Sequence, residues 1–123
     1  MYSENSVLYE KAFRFSISAI KLCKKLQSNN EYVMSKQLLK SSTSIGANIK
    51  ESKYAQSKKD FISKLNISLK EAGETEYWLE LLHETKYISK EKASKLLKDL
   101  RELIKMLVSS VKTAKYNLRK EKK

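Results

Sequence analysis

The chain has 123 residues, no proline, two glycines, one cysteine and a formal net charge of +12. A length of this order is one domain that buries about two-thirds of its unfolded surface, so it needs no staples. The lone Cys23 excludes an internal disulfide and suits a reducing compartment.

Without proline and nearly without glycine, the chain lacks the residues that break helices, and an all-α fold with short connections is expected. No run of about 18 apolar residues occurs, so no membrane span is expected. The N-terminal MYSENSVLYEKAF has no basic region followed by an apolar block, and a cytoplasmic protein is expected.

The first helical segment is predicted over about 3–27. Leu8, Ala12, Phe15, Ala19, Leu22 and Leu26 recur at intervals of four and three, which keeps one helix face against a partner. Phe13, Ile17 and Ile20 widen that face and imply more than one neighbour. Lys11, Arg14, Ser18, Lys21 and Lys25 form a stripe on the other side, read either as a solvated face or as a track for phosphates. Ser28 and Glu31 then fit a Ser-x-x-Glu capping box at a tight reversal.

The second segment, about 31–55, carries Met34, Leu38, Ser41, Ile45, Asn48, Ser52 and Ala55 at the same spacing. Three of those inward positions are polar, and Gly46 stands mid-helix at a cost of about 1 kcal/mol relative to Ala. The segment SSTSIGANIKE therefore predicts a close approach at Gly46 and a polar centre of Ser41, Asn48, Glu51 and Glu76. Asn48 there either sets register through a buried hydrogen bond, to Glu76 or to a neighbouring subunit, or belongs to a ligand or catalytic site.

Ser57 with Asp60 is a second cap signal, opening a third segment over about 58–85. Phe61, Leu65, Ser68, Ala72, Thr75, Leu79 and Leu82 make its inward row. Gly73 sits mid-segment, and the two glycines together predict close packing between the second and third helices. Ser89 is a predicted N-cap for the fourth segment, about 90–118, in which Ala93, Leu97, Leu100, Ile104, Leu107, Val111, Ala114 and Leu118 face inward. Lys98, Arg101, Lys105, Lys112, Lys115 and Arg119 lie on its outer faces, and 119–123 is a charged tail expected to fray. Four such segments joined by three polar breaks predict an antiparallel up-down-up-down four-helix bundle spanning 1–123.

Charge is uneven: residues 61–85 hold two basic and five acidic groups, whereas 86–123 hold thirteen and four. Such an excess attracts polyanions, of which nucleic acid is the commonest inside a cell; a merely soluble lysine-rich bundle is the alternative. Catalytic signatures are wanting. Glu80 and His83 supply half of a di-iron ligand set, but that set needs a second Glu-x-x-His and the chain has one histidine. Glu76, Glu80 and Glu84 form a carboxylate row read as solvated. The hydroxyl cluster Ser41, Ser42, Thr43 and Ser44 has no base, and no glycine-rich phosphate loop exists. No metal, no cofactor and no enzymatic activity are expected.

Gln37, Leu38, Ser41, Ser44, Ile45, Ala47, Asn48, Ile49 and Glu51 match a Q-L-x-R-S-x-x-S-I-x-A-N-I-x-E run, with Lys40 where Arg is usual. Phe61, Leu65, Ile67, Ser68, Glu74, Glu76, Trp78 and Leu79 match a second block. On these residues the chain resembles the bacterial four-helix bundle family encoded in intervening sequences of large-subunit ribosomal RNA genes, which is similar to retroelement accessory proteins. The resemblance implies a basic homopentamer that contacts nucleic acid and a partner such as a reverse transcriptase.

The resulting expectation is a non-enzymatic, homo-oligomeric protein that binds nucleic acid, RNA foremost, through phosphate contacts. Its binding groups would be Lys11, Arg14, Lys21, Lys25, Lys98, Arg101, Lys105, Lys112, Lys115 and Arg119. No RNA-reading motif with exposed stacking aromatics is evident in the sequence, so weak sequence specificity is expected. A scaffold docking a partner enzyme is the alternative, and an enzyme or metal site around Asn48, Glu51 and Glu76 a third reading.

Overall fold

Two helices of this chain stop where a left-handed residue, not a proline, stops them. In a computed structural model that describes the backbone of residues 2–121 and side chains from Val7 to Glu121, the helices are α1 (Tyr2–Ser28), α2 (Val33–Ser52), α3 (Lys58–Glu84) and α4 (Lys90–Glu121). At the end of α1, Asn30 adopts a left-handed φ of 68°. The Glu31 amide then reaches back to the Leu26 carbonyl at 2.9 Å and the Asn30 amide to Gln27 at 3.0 Å. α3 ends the same way, with Lys86 at φ 67°, Tyr87 bonded to Leu82 and Lys86 to His83. Both are Schellman endings, which satisfy carbonyls that the last turn leaves free.

The helix starts are capped by side chains. Ser57 Oγ accepts the Asp60 amide at 3.1 Å, and Ser89 Oγ accepts the Lys92 amide at 3.1 Å, as the sequence predicts. The capping box expected at Ser28 is not formed. Ser28 remains the last residue of α1 and donates its hydroxyl to the Lys25 carbonyl at 2.6 Å. Glu31 alone caps α2, its two carboxylate oxygens accepting the Met34 and Ser35 amides at 3.0 and 2.7 Å. With Glu31 used as a cap, α2 begins two residues later than predicted, and it ends three residues earlier. The predicted tail also shifts: α4 runs through Arg119 to Glu121, and Lys122 and Lys123 lie outside the described residues.

α1 packs on α2, α2 on α3, α3 on α4, and α4 returns to α1; no diagonal pair meets among the described residues. This is the antiparallel four-helix bundle. Its core runs from Leu8, Phe15, Leu22 and Leu26 through Leu38, Ile45 and Ile49 to Leu65, Leu79, Leu82, Leu100, Leu103 and Leu107. Phe13 and Ile17, expected to meet a second neighbour, are instead exposed.

The glycines differ from expectation too. Gly46 is buried, but it faces α1: a Cβ there would lie 3.7 Å from Ala12 Cβ and 3.7 Å from Ser16 Oγ. Gly73 is exposed, with nothing within 4 Å of an added Cβ. The two glycines therefore do not bring α2 and α3 together. Gly73→Ala should raise stability by about 0.5–1 kcal/mol, because it removes unfolded-state freedom without a clash. The check is a higher urea midpoint with an unchanged slope.

Candidate nucleic-acid interface

Two ion pairs orient the cations of α4. Arg101 reaches α3, with Nε 2.9 Å from Glu76 and a terminal nitrogen 3.5 Å from Glu80. Its neighbour Glu102 reaches α1 and accepts from Lys11 Nζ at 3.3 Å. Successive residues turn by about 100° around a helix, so these pairs fix which edge of α4 faces which helix. Lys98, Lys105, Lys112, Lys115 and Arg119 repeat with Arg101 at three- and four-residue spacing, and so they run along the α3-side edge and outer crest of α4.

The α1 stripe lies elsewhere. Lys11 and Arg14 border a cleft between α1 and α4 that Phe15, Ser18, Lys95, Asp99 and Glu102 complete. Lys11 is paired with Glu102, and Arg14 with Glu10 at 3.1 Å. Lys21 and Lys25 continue the stripe along exposed α1 without an ion pair among the described residues. The ten predicted cations thus form two separate lines, not one surface. Lys11, Arg14 and Arg101 are held by carboxylates of the same chain. Lys21, Lys25, Lys98, Lys105, Lys112, Lys115 and Arg119 have no ion-pair partner among the described residues. The existing pairs are solvent-exposed, so each is worth about 0–1 kcal/mol and could exchange partners.

The predicted polar centre is not one cluster. Ser41 is buried and its hydroxyl accepts from Thr75 Oγ1 at 2.9 Å, a direct bond between α2 and α3. Asn48 does not reach Glu76; its amide donates to the Ser44 carbonyl of its own helix at 2.9 Å. Glu51 pairs with Lys64 at 3.1 Å, while Glu76 belongs to Arg101 on the opposite edge of α3. The hydroxyl that truly ties α3 to α2 beside Thr75 is Ser68, which donates to the Ile45 carbonyl at 2.8 Å. Ser68 and Thr75 stand in the predicted inward row of α3, so spacing locates them but gives no partner.

Spacing and charge do not reveal an aromatic and basic groove between α1 and α2. It holds about 280 Å³ and is lined by Tyr9, Phe13, Ser16, Thr43, Gly46, Ala47 and Lys50. Lys50 Nζ and Lys53 Nζ lie 5.1 and 5.2 Å from the Tyr9 ring centroid. The signal present in the sequence is Tyr9 four residues before Phe13, which puts both rings on one face. No group of three or more His, Cys, Asp or Glu side chains suited to a metal occurs among the described residues. No helix among them is long and apolar enough to cross a membrane.

A family model described as 23S rRNA-intervening sequence protein matches residues 4–109. Among solved structures, the chain is similar to a protein with unknown function from the S23 ribosomal protein family of Bacteroides thetaiotaomicron VPI-5482. The two share 50% identity at a TM-score of 0.87, over 89% of this chain and 98% of that one. No curated protein matches.

Cys23 is a buried packing residue whose thiol donates to the Ser35 carbonyl at 3.4 Å. Burial pushes its pKa from 9.0 up to about 11, and the Glu31 carboxylate adds to the rise. The folded chain keeps this proton after the unfolded chain has lost it. The associated stability is therefore intact below about pH 9 and is lost as pH rises toward about 11. At neutral pH the native thiol should react with a disulfide reagent only as fast as the chain opens, and rapidly once it is unfolded in denaturant.

Proposed function

The chain belongs to the 23S rRNA-intervening sequence protein family, and from that premise we propose that it is a non-enzymatic, cytoplasmic nucleic-acid-binding protein. RNA is the favoured ligand, held through its phosphates. The observation that carries this reading is the unspent charge: seven of the ten predicted cations have no carboxylate partner among the described residues, five of them along one edge and crest of α4. Lysines spaced along a helix neutralise phosphates as point charges and release the counterions condensed on the strand. Arg101 is a weaker contributor, since a phosphate would have to compete with Glu76 and Glu80.

Binding of labelled RNA should therefore weaken steeply between low and physiological salt. Lys105→Gln, Lys112→Gln and Lys115→Gln combined should reduce the log–log salt slope by about 0.7–0.9 for each phosphate that is no longer neutralised. Affinity indifferent to salt sinks the reading.

The assembly we propose is a homo-oligomer, with five chains as the resemblance implies. Exposed Ile67 and Tyr77 on α3 are apolar groups that an adjoining copy would cover. Light scattering should give five times the chain mass, with and without RNA; the mass of one chain in both conditions overturns the assembly.

A further inference from the structure

The groove between α1 and α2 combines features that no other part of the described surface combines. Phe13 presents a ring that is 53% exposed, although it sits on a helix with a well-filled core. The Tyr9 ring lies beside it, centroids 6.0 Å apart and tilted by 39°. Two ammonium groups, from Lys50 and Lys53, converge on the Tyr9 ring, and neither has an ion-pair partner among the described residues. Two like charges gathered at one ring repel each other, and an anion placed between them relieves that repulsion.

The floor is shallow and uncharged. Gly46 contributes no side chain, Ala47 only a methyl group, and no carboxylate among the described residues lines the groove. The hydroxyl protons along it are already used: Thr43 donates to the Leu39 carbonyl at 2.7 Å and Ser16 to the Ala12 carbonyl at 3.0 Å, which leaves only acceptor oxygens. What is left to offer is the exposed Phe13 ring and, at the neighbouring Tyr9 ring, two cations. A ligand that suits both needs a flat face and a negative charge about one ring's distance away. A nucleotide has both, and in a single strand the base is free to turn its face outward.

We propose that this groove is a stacking site for single-stranded nucleic acid, in which an unpaired base lies against Phe13 and its flanking phosphates meet Lys50 and Lys53. The proposal rests on the nucleic-acid reading above but moves the base contact away from the cation line of α4. Base stacking tolerates any sequence, because every base has a π face; the lysines add a salt-dependent share. A duplex, with its base faces covered, gains nothing from Phe13.

The test is fluorescence anisotropy of a labelled single-stranded oligouridine and of a duplex of equal length, across a salt series. Phe13→Leu keeps an apolar side chain but removes the ring, and Phe13 is exposed enough that the fold should survive; its thermal unfolding confirms this. It should weaken single-strand binding about fivefold to a hundredfold, leave the salt slope unchanged and leave duplex binding alone. Lys50→Gln with Lys53→Gln should instead reduce the single-strand slope by about 1.4. If the wild-type chain binds RNA with a steep slope while both groove variants bind as it does, the groove proposal falls and the α4 reading stands. If the wild-type chain binds no RNA at any salt, both fall. If Phe13→Leu lowers the mass seen by light scattering, the groove is covered by a second copy of the chain and the stacking site is overturned.

Discussion

The fold depends on α2 being a thin helix. Its inward positions include Ser35, Ser41, Ser42, Gly46 and Ser52, all buried, where a bundle helix ordinarily carries leucine or isoleucine. Buried hydroxyls are costly when unpaired, by about 1–3 kcal/mol, but a helical serine can return its proton to a carbonyl three or four residues back. Ser35, Ser41, Ser42 and Ser52 all do so, and no buried side-chain nitrogen or oxygen among the described residues lacks a partner. With that cost removed, small side chains let both neighbours approach closely. Cys23 and Ser16 of α1 reach α2 carbonyls directly; from the other side Ser68 of α3 reaches the Ile45 carbonyl and Thr75 the Ser41 hydroxyl. α2 is the element through which α1 and α3 are registered.

That arrangement explains why the longer polar residues of the same segment are outside. Once the interior hydrogen bonds are closed by serine, threonine and backbone, the centre has no room and no need for an asparagine or a carboxylate. Asn48 bonds along its own helix, Glu51 spans the outer edge to Lys64, and Gln37 and Lys40 are exposed. The residues by which the family is recognised thus divide in two. Ser41, Ile45 and Ile49 serve the core, while Gln37, Ala47, Asn48 and Glu51 face outward or lie at the rim.

The helices and two of their caps are legible in the sequence because their signals are local: a four-three spacing in α4, or a hydroxyl three residues before the amide it caps. Asn48 departs from its expected place for a physical reason. The predicted inward row takes positions 34, 41, 48 and 55, whereas the buried face of α2 is centred about one residue further on, with Ser35, Ser42 and Ile49 buried beside Ser41. Adjacent residues differ by about 100° around the helix, so with Ile49 inward Asn48 falls at the rim. Glu31 is ambiguous because a Ser-x-x-Glu pattern is identical whether the serine caps the next helix or ends the previous one. The two glycines cannot be told apart by spacing, since each directly follows a predicted inward residue, Ile45 or Ala72. Partners remote in sequence, such as Lys11 with Glu102 or Arg101 with Glu76, follow from tertiary placement and have no local signature.

Around the bundle the positive features follow a fixed order. The α4 line lies toward α3, then come the α1–α4 cleft with its carboxylates, whose α1 side Lys21 and Lys25 extend along the helix, and the groove where Lys50 and Lys53 meet Tyr9. Neighbouring helix axes in a bundle stand about 8–10 Å apart, close to the Debye length of about 8 Å at physiological ionic strength. Salt therefore attenuates the field of charges on one helix at the next, to roughly a third over one Debye length. Asp99 and Glu102 further interrupt the field between α4 and α1 by holding Lys95 and Lys11. A polyanion that engaged more than one of these lines would have to cross the helices, whereas one held by α4 alone would run parallel to its axis. For such a polyanion the number of phosphates neutralised, and hence the salt dependence, would report how far around the bundle it reached.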